Sequence, residues 1–120
     1  MVKNISMKKI FLSLAVFLLL SAHCLAGEWN LSGNLNQGRE SFPSVIFNNG
    51  NVLVAGGIGS PSAVLSSCEI YEASTGIWSL TDSMTFVRRD FPLVKFRHNG
   101  LEKILVAGGT QSIVGEIFDP

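Results

Sequence analysis

At 120 residues the chain has room for one modest domain. Nine basic residues balance nine acidic ones, but Lys3, Lys8 and Lys9 fall in an N-terminal leader; without it six basic residues face nine acidic ones. A net charge near minus three in the remainder argues against nucleic acid as the partner.

The leader reads as follows. Met7-Lys8-Lys9 precedes residues 10–20, apolar except for Ser13, and Ser21-Ala22-His23-Cys24-Leu25-Ala26-Gly27 closes the run with small residues. A charged start, a short apolar stretch and a small-residue exit make a helical signal peptide over residues 1–26, cut after Ala26. A membrane anchor would need about 20 apolar residues, and this run ends sooner, so no stable span is expected after cleavage. The expected location is secreted or periplasmic. Lipoprotein anchoring at Cys24 is the lesser alternative, because His23 fits such a signal poorly. Cleavage leaves Cys68 alone, so the mature part forms no intrachain disulfide, and the thiol is read as a small buried apolar residue.

From Gly27 on, the sequence can be laid against itself. Trp29 matches Trp78, Leu31 matches Leu80 and Arg39 matches Arg88, all at an offset of 49. Phe42-Pro43, Val45 and Phe47 match Phe91-Pro92, Val94 and Phe96 at the same offset. Each Pro opens a short β-rich run, where a missing N–H does least harm. Asn49-Gly50 and Asn99-Gly100 are hairpin signals, both residue types accepting positive φ. The offset slips there and reaches 52 at Val52-Leu53-Val54-Ala55-Gly56-Gly57, which returns as Ile104-Leu105-Val106-Ala107-Gly108-Gly109. A branched apolar run closed by paired glycines reads as a buried strand ending where backbones approach closely. Residues 58–67 and 110–114 follow as polar surface loops of unequal length. Glu69-Ile70-Tyr71-Glu72 then matches Glu116-Ile117-Phe118-Asp119, alternating as a strand with one buried face. Residues 73–76 are a turn, and Ile77-Trp78-Ser79-Leu80 is a fourth strand. The unit is four strands in about 50 residues, an all-β repeat without helical period.

These residues carry a resemblance. A strand ending in Gly-Gly, then Glu-Ile-Tyr-Glu, a short turn, Trp78, Met84 and Arg88 resemble the kelch repeat, one blade of a β-propeller, across essentially all of residues 27–120. The resemblance implies that Tyr71 packs on Trp78 inside the blade and that Phe118 and Trp29 hold the corresponding places in the neighbouring repeats. It also implies that Gly56, Gly57, Gly108 and Gly109 let blades approach, and that Arg39 and Arg88 bridge between blades. Glu72-Ala73 departs from the family's Asp-Pro, which Asp119-Pro120 restores. The chain reads as one complete blade with parts of two others, opening on a fourth-type strand near Trp29. Propellers close with about four to eight blades, so further blades or self-association are needed to close a ring.

Chemistry is sparse. Val54-Ala55-Gly56-Gly57-Ile58-Gly59 imitates a phosphate loop, but no amphipathic helix pattern follows to hold a pyrophosphate, and the second copy lacks the third glycine. His98, the sole histidine after the leader, sits in a hairpin tip and reads as solvated surface rather than a metal ligand. Glu40 and Asp90 lie near the matched arginines; a pair of carboxylates can do acid and base work, but their recurrence at neighbouring places in the repeat reads as interblade ion pairing. No catalytic, metal or cofactor residue is assigned. Two function classes remain. One is an exported binding or scaffold module for a protein or carbohydrate, with its ligand at the loops of residues 58–67 or 97–100. The other is a non-catalytic part of a larger secreted propeller enzyme, like the galactose oxidases or sugar isomerases, whose catalytic residues would lie beyond Pro120.

Overall fold

The computed structural model describes residues 27–110 and 112–120, so the signal-peptide reading falls on residues 1–26, outside the described ones. The chain divides between Leu31 and Ser32 into two units. Of the first, residues 27–31 are described; they form no strand, and Trp29 and Leu31 are fully exposed. The fourth-type strand expected around Trp29 is therefore not formed. A single strand without a ladder partner leaves its N–H and C=O groups to water, and Trp29 has no such partner among the described residues.

Among its described residues the second unit is all β, without a helix. β1 (Ser44–Ile46), β2 (Val52–Ala55), β5 (Cys68–Glu72) and β6 (Ile77–Thr81) make a four-stranded antiparallel sheet in the order β1-β2-β5-β6. β7 (Leu93–His98), β8 (Leu101–Val106) and β9 (Glu116–Phe118) make a three-stranded antiparallel sheet in chain order. Neither sheet closes on itself. β3 (Ile58–Gly59) and β4 (Ala63–Val64) form a small hairpin inside what reads from sequence as a polar loop. That segment is not all surface. Leu65 is buried, its N–H donating to Gly57 O at 2.9 Å, because the returning chain must satisfy its backbone beside the glycine pair.

The two sheets repeat one pairing register. Leu53 faces Val45 and Ile70 in the first, and Leu105 faces Val94 and Ile117 in the second. Val52 opposite Tyr71 becomes Ile104 opposite Phe118, and Val54 opposite Glu69 becomes Val106 opposite Glu116. The slip in sequence offset lies in the hairpins. In the first, Phe47 N–H donates to Asn51 O around an Asn48-Asn49-Gly50 turn in which Gly50 has φ of 88°. In the second, two further rungs, Arg97–Glu102 and His98–Leu101, precede a tight Asn99-Gly100 turn with φ values of 52° and 78°.

Period two sends alternate residues of each strand to opposite faces. Call face A the side carrying Ile46, Val52 and Tyr71 in the first sheet and Lys95, Ile104 and Phe118 in the second. Face B carries Val45, Leu53 and Ile70, and correspondingly Val94, Leu105 and Ile117. Face B of the first sheet packs against face A of the second. Phe47, Leu53, Ala55 and Cys68 join Phe91, Ile104 and Val106 in one buried core, with Val45, Ile70, Leu93 and Phe118 packed at its margin. Phe47 and Phe118 meet across it with ring centroids 6.5 Å apart. At the rim, Lys95 Nζ donates to Ile46 O at 2.9 Å and Glu102 accepts from Asn48 N–H at 3.1 Å.

Candidate functional site

The most elaborate polar construction is a buried arginine that occurs once in each sheet. Arg39, on the chain entering the first sheet, donates to Gly56 O at 2.7 Å, Ser67 O at 3.0 Å and Glu69 Oε1 at 2.8 Å, and both side chains of this ion pair are fully buried. Glu69 also accepts from Asn36 N–H at 2.7 Å and Gln37 N–H at 3.1 Å. Arg88, entering the second sheet, repeats the pattern with Gly108 O at 2.6 Å, Val114 O and Glu116 Oε1 at 3.0 Å. Glu116 accepts from Thr85 N–H at 2.6 Å and Phe86 N–H at 3.3 Å, the places that correspond to Asn36 and Gln37. Five donors on a planar fork suit a site where strand-end carbonyls and a carboxylate converge.

The interblade ion pairing expected of Glu40 and Asp90 is corrected: the matched arginines pair with Glu69 and Glu116, while Asp90 lies 3.8 Å from its own neighbour Arg89. Sequence adjacency misleads here because neighbours on an extended chain point apart. The usable signal was that Glu69 and Glu116 match each other and share a strand face with Tyr71 and Phe118, so a charge recurs on a buried face and requires a partner. Burial acts to raise both carboxyl pKa values. For Glu69 it is outweighed by hydrogen bonds from Arg39, Asn36 and Gln37, and for Glu116 by those from Thr85, Arg88 and Phe86, so both are held below the ordinary 4.5.

At Arg88 it is the backbone that reaches the first sheet's loop, whereas the Arg39 contacts stay within the first repeat. Arg88 N–H donates to Leu65 O at 3.0 Å and its carbonyl accepts from Gly57 N–H at 2.8 Å, so one residue joins the first sheet's loop by its main chain and the second sheet by its guanidinium. Gly56 and Gly57 allow that approach. Both have left-handed φ, and a Cβ would stand 2.5 Å from Arg88 O at Gly56 and 2.5 Å from Glu40 O at Gly57. Gly109 is similar, its Cβ position 3.0 Å from Arg89 O, whereas Gly108 meets open space and is required by its φ of 74° alone. The matched residues Ser41 and Asp90, invisible as a signal in the sequence, both adopt left-handed φ of 53° and 55°, and Asp90 N–H donates to Ser41 O at 3.2 Å.

Tyr71 and Trp78 stand opposite each other on β5 and β6 with ring centroids 5.1 Å apart. Both are half-buried rather than enclosed, and Tyr71 shares its hydroxyl hydrogen bond with Ser32 Oγ at 2.7 Å. Cys68 is buried, and burial pushes its thiol pKa up. His98 is exposed at its hairpin tip. Gly59 ends β3 and is followed by β4 rather than by a phosphate-binding helix. Among the described residues no group of three or more His, Cys, Asp or Glu side chains is placed to hold a metal ion, and no helix is long and apolar enough to cross a membrane. A cleft of about 330 Å³ opens between the sheets beside Cys68, Met84, Ile104 and Glu116. No protein-family model and no curated protein matches this chain.

Proposed function

We propose that the chain is an exported kelch-like propeller segment that acts as a binding or scaffold module. The observation that carries the reading is the doubled pairing register with a buried Arg–Glu anchor in each copy, Arg39–Glu69 and Arg88–Glu116. Such a plan uses its polar residues to fix the entering chain against the strand ends of each sheet and leaves the connecting loops free to vary, which is how repeat proteins present ligand-contacting edges. The exposed tip with Arg97 and His98 and the hairpin loop with Ser60, Pro61 and Ser62 are the edges in question. The chemistry they offer, one or two cations with hydroxyls and backbone groups, suits a carbohydrate or a polar protein surface.

Two measurements test this. N-terminal sequencing of material recovered outside the cytoplasm should begin at or near Gly27, and a full-length chain retained in a membrane contradicts export. On a glycan array, binding by the exported protein should fall at least tenfold when Arg97 and His98 are both replaced by Ala. Undiminished glycan binding by that variant contradicts the tip as the ligand edge, and absence of glycan binding by the parent removes the carbohydrate reading.

A further inference from the structure

Each of the two sheets buries one face and leaves the other open, and the open faces are the missing halves of the interface already formed. In the first sheet face B is covered, and face A is covered at its Val54–Glu69 rung, where Asn36, Gln37 and Arg39 bond to Glu69, and open beyond it, with Ile46 57% exposed and Val52, Tyr71 and Trp78 half-buried. In the second the reverse holds: Ile104 and Val106 of face A are buried, while on face B Val94 is 50% and Ile117 60% exposed, with Phe96 and Leu105 half-buried beside them. The shared register makes these open surfaces equivalents of the packed ones. Phe96, Leu105 and Ile117 correspond to Phe47, Leu53 and Ile70, which are packed, and Val52 and Tyr71 correspond to Ile104 and Phe118, against which they are packed.

From this we infer that the chain associates head to tail with a second copy of itself, face B of the second sheet seating on face A of the first sheet of the next molecule. The interface continues the intramolecular one with the same strand register, and it sets Phe96 of one copy beside Tyr71 of the next as Phe47 sits beside Phe118. The occupant is a second copy because the chain itself already displays the two surfaces in contact. Any other apolar partner would have to reproduce a matching sheet with the same alternation. The two patches differ from each other, so the contact is heterologous: it builds chains, or a ring if the rotation closes, and not an isologous dimer. This inference rests on the register and the burial pattern and not on the proposed family or ligand.

The test uses sedimentation of the protein purified after expression of the full chain. The parent should show association that increases with concentration. Val52→Lys spoils the open face of the first sheet, where its counterpart in the formed interface, Ile104, is fully buried, and Ile117→Lys spoils that of the second. Ile117 is exposed and Val52 half-buried on an open face, so each variant should keep the parent's far-ultraviolet circular dichroism. Each variant alone should sediment as a monomer, and an equimolar mixture should form a one-to-one dimer and stop, because one intact face of each kind remains. If either lysine variant unfolds, Val94→Lys or Val52→Thr takes its place in the same mixture. A parent that stays monomeric at its highest soluble concentration overturns the inference. So does association unchanged by either substitution, or a mixture of folded variants that stays monomeric. Glycan binding through the Arg97–His98 tip can survive all of these failures, so the two readings fall separately.

Discussion

Leu53 and Leu105 occupy the same rung of the same register, flanked by the same residue types, yet the first is 2% exposed and the second half-buried. Phe47 is likewise buried and Phe96 half-buried, and the half-buried Ile70 has an exposed counterpart in Ile117. Local sequence sets the strand and its alternation, but whether an apolar face is covered depends on which sheet comes to lie on it. In the first sheet the fourth strand, β6, covers the edge of β5 and places Trp78 over Tyr71, whereas β9 has no outer neighbour among the described residues. The anchors differ in the same direction. The Arg39–Glu69 pair is fully enclosed, while the Glu116 side chain retains 20% exposure. A repeat thus holds constant what is decided by its own strands and lets vary what is decided by its neighbour.

This contrast can be broken or sharpened by substitution. The largest effect is expected at Arg39. Its removal leaves Glu69 buried without its cation, and loss of one member of a buried pair costs about 3 to 5 kcal/mol. Arg88→Ala should cost less, because water reaches Glu116; equal losses in urea denaturation would mean that exposure does not separate the two anchors. Next comes the matched leucine pair. Leu53→Ala should cost about 2 to 5 kcal/mol as a core truncation, and Leu105→Ala about 1 kcal/mol or less as a partly exposed one, measured at low protein concentration. Trp78→Ala should cost about 2 kcal/mol, above the ~1 kcal/mol of an aromatic pair alone but below the ~3 to 5 kcal/mol of a fully buried aromatic, since the Tyr71–Trp78 pair is half-buried.

The smallest effect is on pH dependence. Glu69 and Glu116 have folded-state pKa values below their unfolded value of 4.5. Their contribution is therefore complete above pH 4.5 and is lost as pH falls through the folded values. Glu69→Gln should lower stability at pH 7 and flatten its decline as pH falls below 4.5. A variant that declines as steeply as the parent would place the acid sensitivity elsewhere.

Much of the fold was legible in the sequence. The glycine-ended apolar runs, the Asn-Gly turns and the alternation of Glu69 to Glu72 mark the strands β2, β8 and β5, because strand period and turn chemistry are local properties. The Tyr71–Trp78 contact is one that the resemblance to the kelch repeat implied, not one that strand period alone dictates. What the sequence did not disclose depends on distant partners. Glu69 and Glu116 as the arginines' partners require the strand to return beside the entering chain, the left-handed Ser41 and Asp90 require two segments to cross, and Trp29 shows that a matching residue forms no strand without a ladder beside it. The β3–β4 hairpin lay hidden because its strands are two residues each, too short for alternation to register.

The central claim is that equivalent faces of two repeated sheets differ in access, and hydroxyl-radical footprinting read by mass spectrometry tests it in one experiment at concentrations where the chain is monomeric. Phe96, Leu105 and Ile117 should be modified readily while Phe47 and Leu53 are protected, each protected residue being compared with its own repeat counterpart of the same type. Equal labelling of Leu53 and Leu105, and of Phe47 and Phe96, would contradict the account, since it would mean that the second sheet does not cover the first.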